Sequence, residues 1–479
     1  MREKAFNNRF LSITYGRLLR AGHLRCSVAV TSQESLASRR FLADTKQYNI
    51  MEDSIQSDRR KFLKTSGVAA AATSLPVAAY AQVEGKSEIK VALVGCGGRG
   101  TGAVSQTLNV EGAKLVAVAD AFPDKTQGVI NNIKGRFKEK VDVPAERMFH
   151  GFDAYKKAIE FADMVILTTP PGFRPEMFEY AVSRGKHVFM EKPVATDAAG
   201  IRRVLAAAKE ADAKKLKVVC GLQRRYQKSY TATHQEVMEG RIGKVLGSQV
   251  YWNGGGVWVR PRKKEQSEME YQMRNWYYFN WLCGDHICEQ HVHNIDVANW
   301  FMGGHPTVAQ GMGGRQQRIG PDFGEIFDHH FVELQYEGGG YTNSQCRHQR
   351  GCMNRVTEVI IGEKGRAYPG RITDNDGKII WKLNEKSKNP YQVEHDELHR
   401  HIREDKPINN AYYTAESTMT SIIGRMATYS GKELKWEEAL NSEISIMPKN
   451  YAWDADPGPK MDPETGLYPC PEPGVTKVI

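Results

Sequence analysis

The fold predicted over residues 87–226 is α/β, a doubly wound parallel sheet, and three observations predict it. The apolar run Ile89–Val94 leads straight into Gly95-Cys96-Gly97-Gly98-Arg99-Gly100. A second apolar run, 113–119, ends on Asp120. Further runs at 163–169 (DMVILTT), 187–190 (HVFM) and 217–220 (KVVC) alternate with helical stretches at 175–183 and 198–211. Short apolar runs separated by helices build βαβ units.

Each glycine of the first turn has its own task. Gly95 allows a tight strand-to-helix turn, Gly97 lets the backbone approach a pyrophosphate, and Gly100 allows close helix–strand packing. The helix that follows offers free N–H groups and its positive dipole end to phosphates, so Cys96, Gly98 and Arg99 join the expected cofactor contacts. Asp120 stands twenty residues past Gly100, where a carboxylate accepts hydrogen bonds from ribose hydroxyls and repels a 2′-phosphate. NAD is therefore expected, with NADP as the alternative. The bland reading of Asp120 is a cap on the next helix. Thr169 and Pro170 end a strand on the ligand-binding side of such a sheet. Glu191-Lys192-Pro193 follows another run and can bring a lysine to the nicotinamide.

The formal charge of +10 is misleading. Residues 1–50 hold nine Lys/Arg against three Asp/Glu, and 51–86 hold five against four, which leaves +3 for the rest. That is too mild for a nucleic-acid partner. Asp58-Arg59-Arg60-Lys61-Phe62-Leu63-Lys64, the Ala-rich run 68–81 and the small-x-small triplet Ala79-Tyr80-Ala81 resemble a twin-arginine export signal with its cleavage site. The twin-arginine translocase is thus an expected partner and the periplasm the expected destination. The apolar run is short and broken by Pro76, so no membrane span is expected in the mature chain. Residues 51–86 read as signal and linker, with Met51 a candidate initiator. Residues 1–50 read as an upstream mis-start, or by composition a mitochondrial presequence. Of eight cysteines, seven follow the expected cleavage site; an odd number and no CxxC spacing exclude a disulfide framework or a zinc knuckle as the organising principle.

The densest cluster of functional side chains is 284–296. As one helix it would align His286, Glu289, His293, Asp296 and Trp300 on a face, with His291 elsewhere and Gly303-Gly304 ending it. Glu289 would hold the His293 imidazole in one tautomer, and His293 would take a hydroxyl proton while Lys192 steadies the same oxygen. The competing arrangement is a metal held by His286, Glu289 and His293. Ahead lies the aromatic run 275–281, where Trp276 can stack on a sugar ring and core packing is the alternative.

With both segments in view, the chain resembles the glucose–fructose oxidoreductase / inositol dehydrogenase (Gfo/Idh/MocA) family over about residues 87–445. The family's turn matches at Gly95, Gly97 and Gly100, its Glu-Lys-Pro signature at Glu191, Lys192 and Pro193, and its Asp-x-Gly-x-His-x-x-Asp segment at Glu289, His291, His293 and Asp296. The resemblance implies that Lys192 and His293 are the catalytic pair. It also implies a Rossmann domain ending near Tyr226 and a C-terminal domain (227–445) on a large open, mainly antiparallel sheet, whose faces form homo-oligomers in relatives. Runs at 244–252, 327–335 and 356–361 read as strands of that sheet, 412–430 as a long helix stopped by Gly431, and 446–479 as an extended arm. Glu289 and His291 replace the family's acid and glycine, and Arg174 replaces a histidine that often follows the Thr-Pro strand end, which suits an acidic or heavily hydroxylated substrate. Export without a periplasmic NAD supply implies a tightly bound cofactor. The expected activity is hydride transfer at a sugar, polyol or glycoside. The alternatives are an NAD-dependent glycosidase working by oxidation, elimination and reduction, or a metal-dependent or non-catalytic sugar-binding protein.

Overall fold

A computed structural model describes residues 88–479. The expected signal, the Met51 start, the presequence alternative and Cys26 lie outside the described residues.

Two sheets organise what is described. The first has six parallel strands: β1 (Ile89–Val94), β2 (Ala113–Asp120), β3 (Met148–His150), β4 (Met164–Leu167), β5 (His187–Met190) and β6 (Val218–Cys220), in the order β3-β2-β1-β4-β5-β6. Alternate residues of β1 serve different cores: Ala92 and Val94 pack on one side, Ile89, Val91 and Leu93 on the other. Because every strand residue but Lys90 is buried, β1 reads as a continuous apolar run rather than an alternating one. Helices Gly98–Leu108, Pro123–Phe137, Arg174–Ser183 and Ala198–Ala213 cover the two faces.

The second sheet has nine strands: β7 (Val245–Gly254), β8 (Val308–Gly314), β9 (His329–Gln335), β10 (Tyr341–His348), β11 (Arg355–Gly362), β12 (Gly365–Tyr368), β13 (Arg371–Asp374), β14 (Ile379–Lys382) and β15 (Leu434–Lys435). Their order is β14-β13-β12-β11-β7-β10-β9-β8-β15, antiparallel throughout except where β10 runs parallel to β7. One face packs on Val292–Met302 and on Ala411–Ser430, which is nearly all buried and ends at left-handed Gly431. The strands alternate as a half-covered sheet should: β10 reads exposed-buried along its whole length. No helix or strand follows Leu440. That segment crosses both sheets' territory, with the Trp453 ring tilted against Phe122 and Phe152, and with Tyr468 buried against Glu268. Among the described residues no helix is long and apolar enough to cross a membrane.

One expectation fails here. Residues 284–300 are not a single helix. Gly284 and Asp285 both take left-handed backbone (φ 73° and 67°), and the helix is interrupted at Gln290-His291, leaving Asp285–Glu289 and Val292–Met302. At its start Asp285 is a buried carboxylate that accepts from His286 Nδ1 (2.8 Å), Phe327 N (2.9 Å), His330 Nε2 (3.2 Å) and Tyr429 Oη (2.7 Å). At the break His291 N reaches back five residues to the His286 carbonyl (3.1 Å), Asn294 N bonds His291 O (2.9 Å), and the His291 ring is held by Ser344 Oγ (2.9 Å).

Candidate active site

The glycine turn joins β1 to Gly98–Leu108. Gly95 (φ 93°) packs so tightly under the end of β4 that a Cβ there would lie 2.6 Å from the Thr168 carbonyl carbon. A Cβ on Gly100 would lie 2.0 Å from the Gly95 oxygen, whereas Gly97 and Gly98 face open space. The helix start has no side-chain cap, so its N–H groups are free for an anion. Gly100→Ala is accordingly expected to lower stability by about 1–3 kcal/mol through backbone crowding and to weaken cofactor affinity at least tenfold. Thermal unfolding and NAD titration check it, and a variant that melts and binds as wild type does would exclude the packing role.

Asp120 ends β2. Its oxygens accept from Cys96 N (2.7 Å) and Phe122 N (3.0 Å), and burial raises its carboxyl above the usual range. The residue that precedes the following helix is Phe122, not Asp120. Asp120 instead ties the turn to the second strand and lines a cavity of about 810 Å³. That cavity runs from Asp120 and Phe122 past Gly97, Gly98 and Arg99, beside Thr169 and Pro170, to Trp276, Tyr277, Glu289 and Gln290. Uncapped N–H groups, open glycine faces and a carboxylate at one end fit a dinucleotide. Cys96 turns its thiol to Ala119 O (3.4 Å), burial pushes the thiol pKa well up, its N–H is taken by Asp120, and the residue is not part of the cavity lining.

After β5, Arg99 Nε meets Glu191 Oε1 at 2.6 Å, locking the Glu-Lys-Pro segment to the glycine helix. Lys192 Nζ donates to the Glu289 carbonyl and lies 3.2 Å from Glu289 Oε1. Glu289 Oε2 accepts from Gln290 Nε2 (2.9 Å). His293 is 8% exposed, with its Nδ1 unpartnered. Burial first, then the nearby Lys192 charge, holds its imidazole well below the ordinary range. Lys192, Glu289 and His293 are thus brought together, but the broken helix changes their pairing. Glu289 holds Lys192, not the His293 ring as expected. That ring stacks near Trp252 (6.1 Å between centroids).

Three expected site residues are elsewhere. Arg174 is 1% exposed and spends its guanidinium on the carbonyls of Pro193 and Thr169. It braces the lysine turn from beneath and does not reach a substrate. Asp296 is fully buried in a two-pronged pair with Arg225 (2.8 and 2.9 Å) and a bond from Ser417. His286 is committed to Asp285, so His286, Glu289 and His293 do not gather as metal ligands. The grouping found among the described residues is Asp285, His286 and His330, which the hydrogen bonds above account for. Trp276 does line the cavity. Tyr277 of the same aromatic run also lines it, as do Gln290, Trp258, Arg260 and Lys263, which were not among the expected site residues. Trp258, two residues ahead of the basic run at 260–264, was the available signal.

Comparison with known proteins fits this geometry. The profile described as "Oxidoreductase family, NAD-binding Rossmann fold" matches residues 89–219, and its companion "Oxidoreductase family, C-terminal alpha/beta domain" matches 223–441. The chain belongs to the Gfo/Idh/MocA oxidoreductase family. A twin-arginine translocation signal matches residues 56–76, which marks this family member for export to the periplasm. Inositol 2-dehydrogenase of Rhizobium meliloti (strain 1021) is 28% identical over 195 residues, 41% of this chain and 49% of that protein. Glycosyl hydrolase family 109 protein 2 of Shewanella sp. (strain ANA-3) is 34% identical over 161 residues, 29% of this chain and 34% of that one. The chain thus spans about half and a third of these relatives. The crystal structure of aldose-aldose oxidoreductase from Caulobacter crescentus superposes with a TM-score of 0.57 at 20% identity, covering 73% of this chain and 99% of that one, a likeness of fold.

Proposed function

We propose that this family member is an NAD-dependent oxidoreductase acting on a CH–OH group of a sugar, polyol or glycoside, with its cofactor held tightly. The observation that supports the reading is Glu289, which lines the far end of the cavity that begins at the glycine turn and holds the Lys192 ammonium at 3.2 Å, with His293 close enough to feel that charge. When bound, the nicotinamide supplies a two-electron acceptor and donor. The protein's part is positional and protic. Gly97, Gly98 and the free N–H groups seat the pyrophosphate. Asp120 receives ribose hydroxyls and disfavours a 2′-phosphate, which supports NAD over NADP. Glu289 fixes the Lys192 ammonium, which donates to the substrate oxygen. The neutral His293 imidazole accepts the hydroxyl proton. Trp276 and its aromatic neighbours shield the site from water.

Tight retention follows from export, because the twin-arginine route carries folded protein and the periplasm supplies no free NAD. Protein purified without added cofactor is expected to show absorbance near 340 nm once a sugar or polyol reduces the bound NAD. Cofactor-free protein, or bound NAD that no member of a broad panel reduces, would overturn the reading. The glycosyl hydrolase relative favours a second reading, net glycoside cleavage with NAD recycled in each turnover. Release of phenol from an aryl glycoside without accumulation of NADH would establish it.

A further inference from the structure

Tyr277 is an anomaly in an otherwise satisfied wall. Its neighbours Tyr271 and Tyr278 give their hydroxyls to Asp322 Oδ1 (2.9 Å) and Val257 O (3.3 Å). The Tyr277 hydroxyl is buried with no hydrogen-bond partner, although the residue lines the cavity beside Glu289 and Gln290. Its ring is fixed by Trp276 (5.5 Å), the stacked His348 (5.9 Å) and Trp258 (6.3 Å). A polar atom buried without a partner costs free energy. A phenylalanine would fill the same space without that cost.

We propose that the Tyr277 hydroxyl is a substrate-binding group that donates a hydrogen bond to one oxygen of the sugar or glycoside and thereby selects which ring position carries an oxygen. This rests on the oxidoreductase reading for the substrate class. The hydroxyl is suited to donate. Burial, then the Glu289 carboxylate, raises its pKa well above the ordinary phenol, so the proton stays on. Glu289, whose oxygens hold Lys192 and Gln290, makes no hydrogen bond to it. A ring hydroxyl or glycosidic oxygen arriving over the indole of Trp276 is an acceptor of the right kind.

The test compares wild type with Tyr277→Phe on glucose, myo-inositol and the 2-, 3-, 4- and 6-deoxyglucoses. Three quantities are read: bound-cofactor reduction, quenching of indole fluorescence by the same sugars, and melting without sugar. The expected result is a KM about tenfold higher for the best sugar, the value of one hydrogen bond between neutral groups. Wild type should discriminate against one deoxy analogue by a similar factor, and the variant should not. Its melting temperature should equal or exceed that of wild type. Unchanged KM and unchanged deoxy discrimination would overturn the proposal, as would a lowered melting temperature with sugar affinity intact. If no sugar reduces the cofactor but quenching is weaker in the variant, the oxidoreductase reading fails while the Tyr277 contact stands.

Discussion

Lys192→Ala is expected to leave NAD bound and to lower the rate of its reduction by sugar between a hundred- and ten-thousandfold. The pyrophosphate elements belong to the β1 turn, and Lys192 makes no contact with them; its recorded partners are the Glu289 carbonyl and carboxylate. Positioned donors and proton-transfer groups each contribute about 10²–10⁴ in rate. The substitution also strands Glu289, whose remaining recorded partner is Gln290. Losing one member of a buried charge pair costs about 3–5 kcal/mol, so a rate loss could be mistaken for misfolding. The double variant Lys192→Met/Glu289→Gln removes both charges and fills the volume. It should recover most of the melting temperature and none of the rate. Glu289→Gln alone should slow the reaction about tenfold, because the ammonium loses its anchor but keeps the carbonyl. An unchanged rate in Lys192→Ala would remove that residue from the mechanism.

Much of this site was legible before any coordinate. The glycine turn, the Asp120 position and the Glu-Lys-Pro segment are strings whose backbone requirements leave little freedom, and β1, β2, β4, β5 and β6 carry apolar runs that neighbours in the fold do not need to explain, whereas the short, half-exposed β3 has none and was not read. The helix 284–300 was misread because its periodicity is real while its continuity is not. At the break the His291 ring is held by Ser344 of β10, a contact more than fifty residues away that local spacing cannot anticipate. Arg174 and Asp296 were misplaced for a related reason. A charged residue near a strand end or on a polar helix face suggests a ligand, yet both are buried and paired inside the protein, Arg174 through its two terminal nitrogens on carbonyls and Asp296 on Arg225. Tyr277 hid in an aromatic run where each ring had equal claim to the core. A missing hydrogen bond distinguishes it, and only packing reveals that.

The same buried histidines should make the enzyme acid-labile, with a melting temperature that falls steeply between pH 7 and pH 4.5. His291 and His399 are held near 3 and His286 near 4, burial being the leading cause in each, reinforced by neighbouring cations: Arg224 near His291, Arg403 near His399 and Arg318 near His286. His293 and His395 are depressed in the same direction. In the unfolded chain each histidine titrates near about 6.5. Between these limits the unfolded state binds the extra protons, so stability rises with pH and is lost as pH falls below the unfolded value. At pH 5 each of His286, His291 and His399 shifts the balance toward unfolding by about 2 kcal/mol. The three together rival the total stability of about 5–15 kcal/mol typical of a domain. Four carboxyls oppose them. Burial raises Glu325 to about 7, Glu394 well above its usual range, and Asp120 and Glu358 in the same direction; the folded state therefore takes up their protons first and gains stability as pH falls. The histidines outnumber them, so the net slope stays positive. Below about pH 4 the unfolded chain protonates Asp285 while the folded protein, where His330 and His286 hold its carboxyl well below the usual range against the burial that opposes them, does not, and this adds to the loss of stability. Calorimetric melts at pH 8, 7, 6 and 5 check the sign. A melting temperature that is flat or rising toward pH 5 would mean that these imidazoles find partners or protons in the folded protein. His399→Phe, which replaces a buried ring bearing two unpartnered nitrogens, should flatten the profile without touching the site.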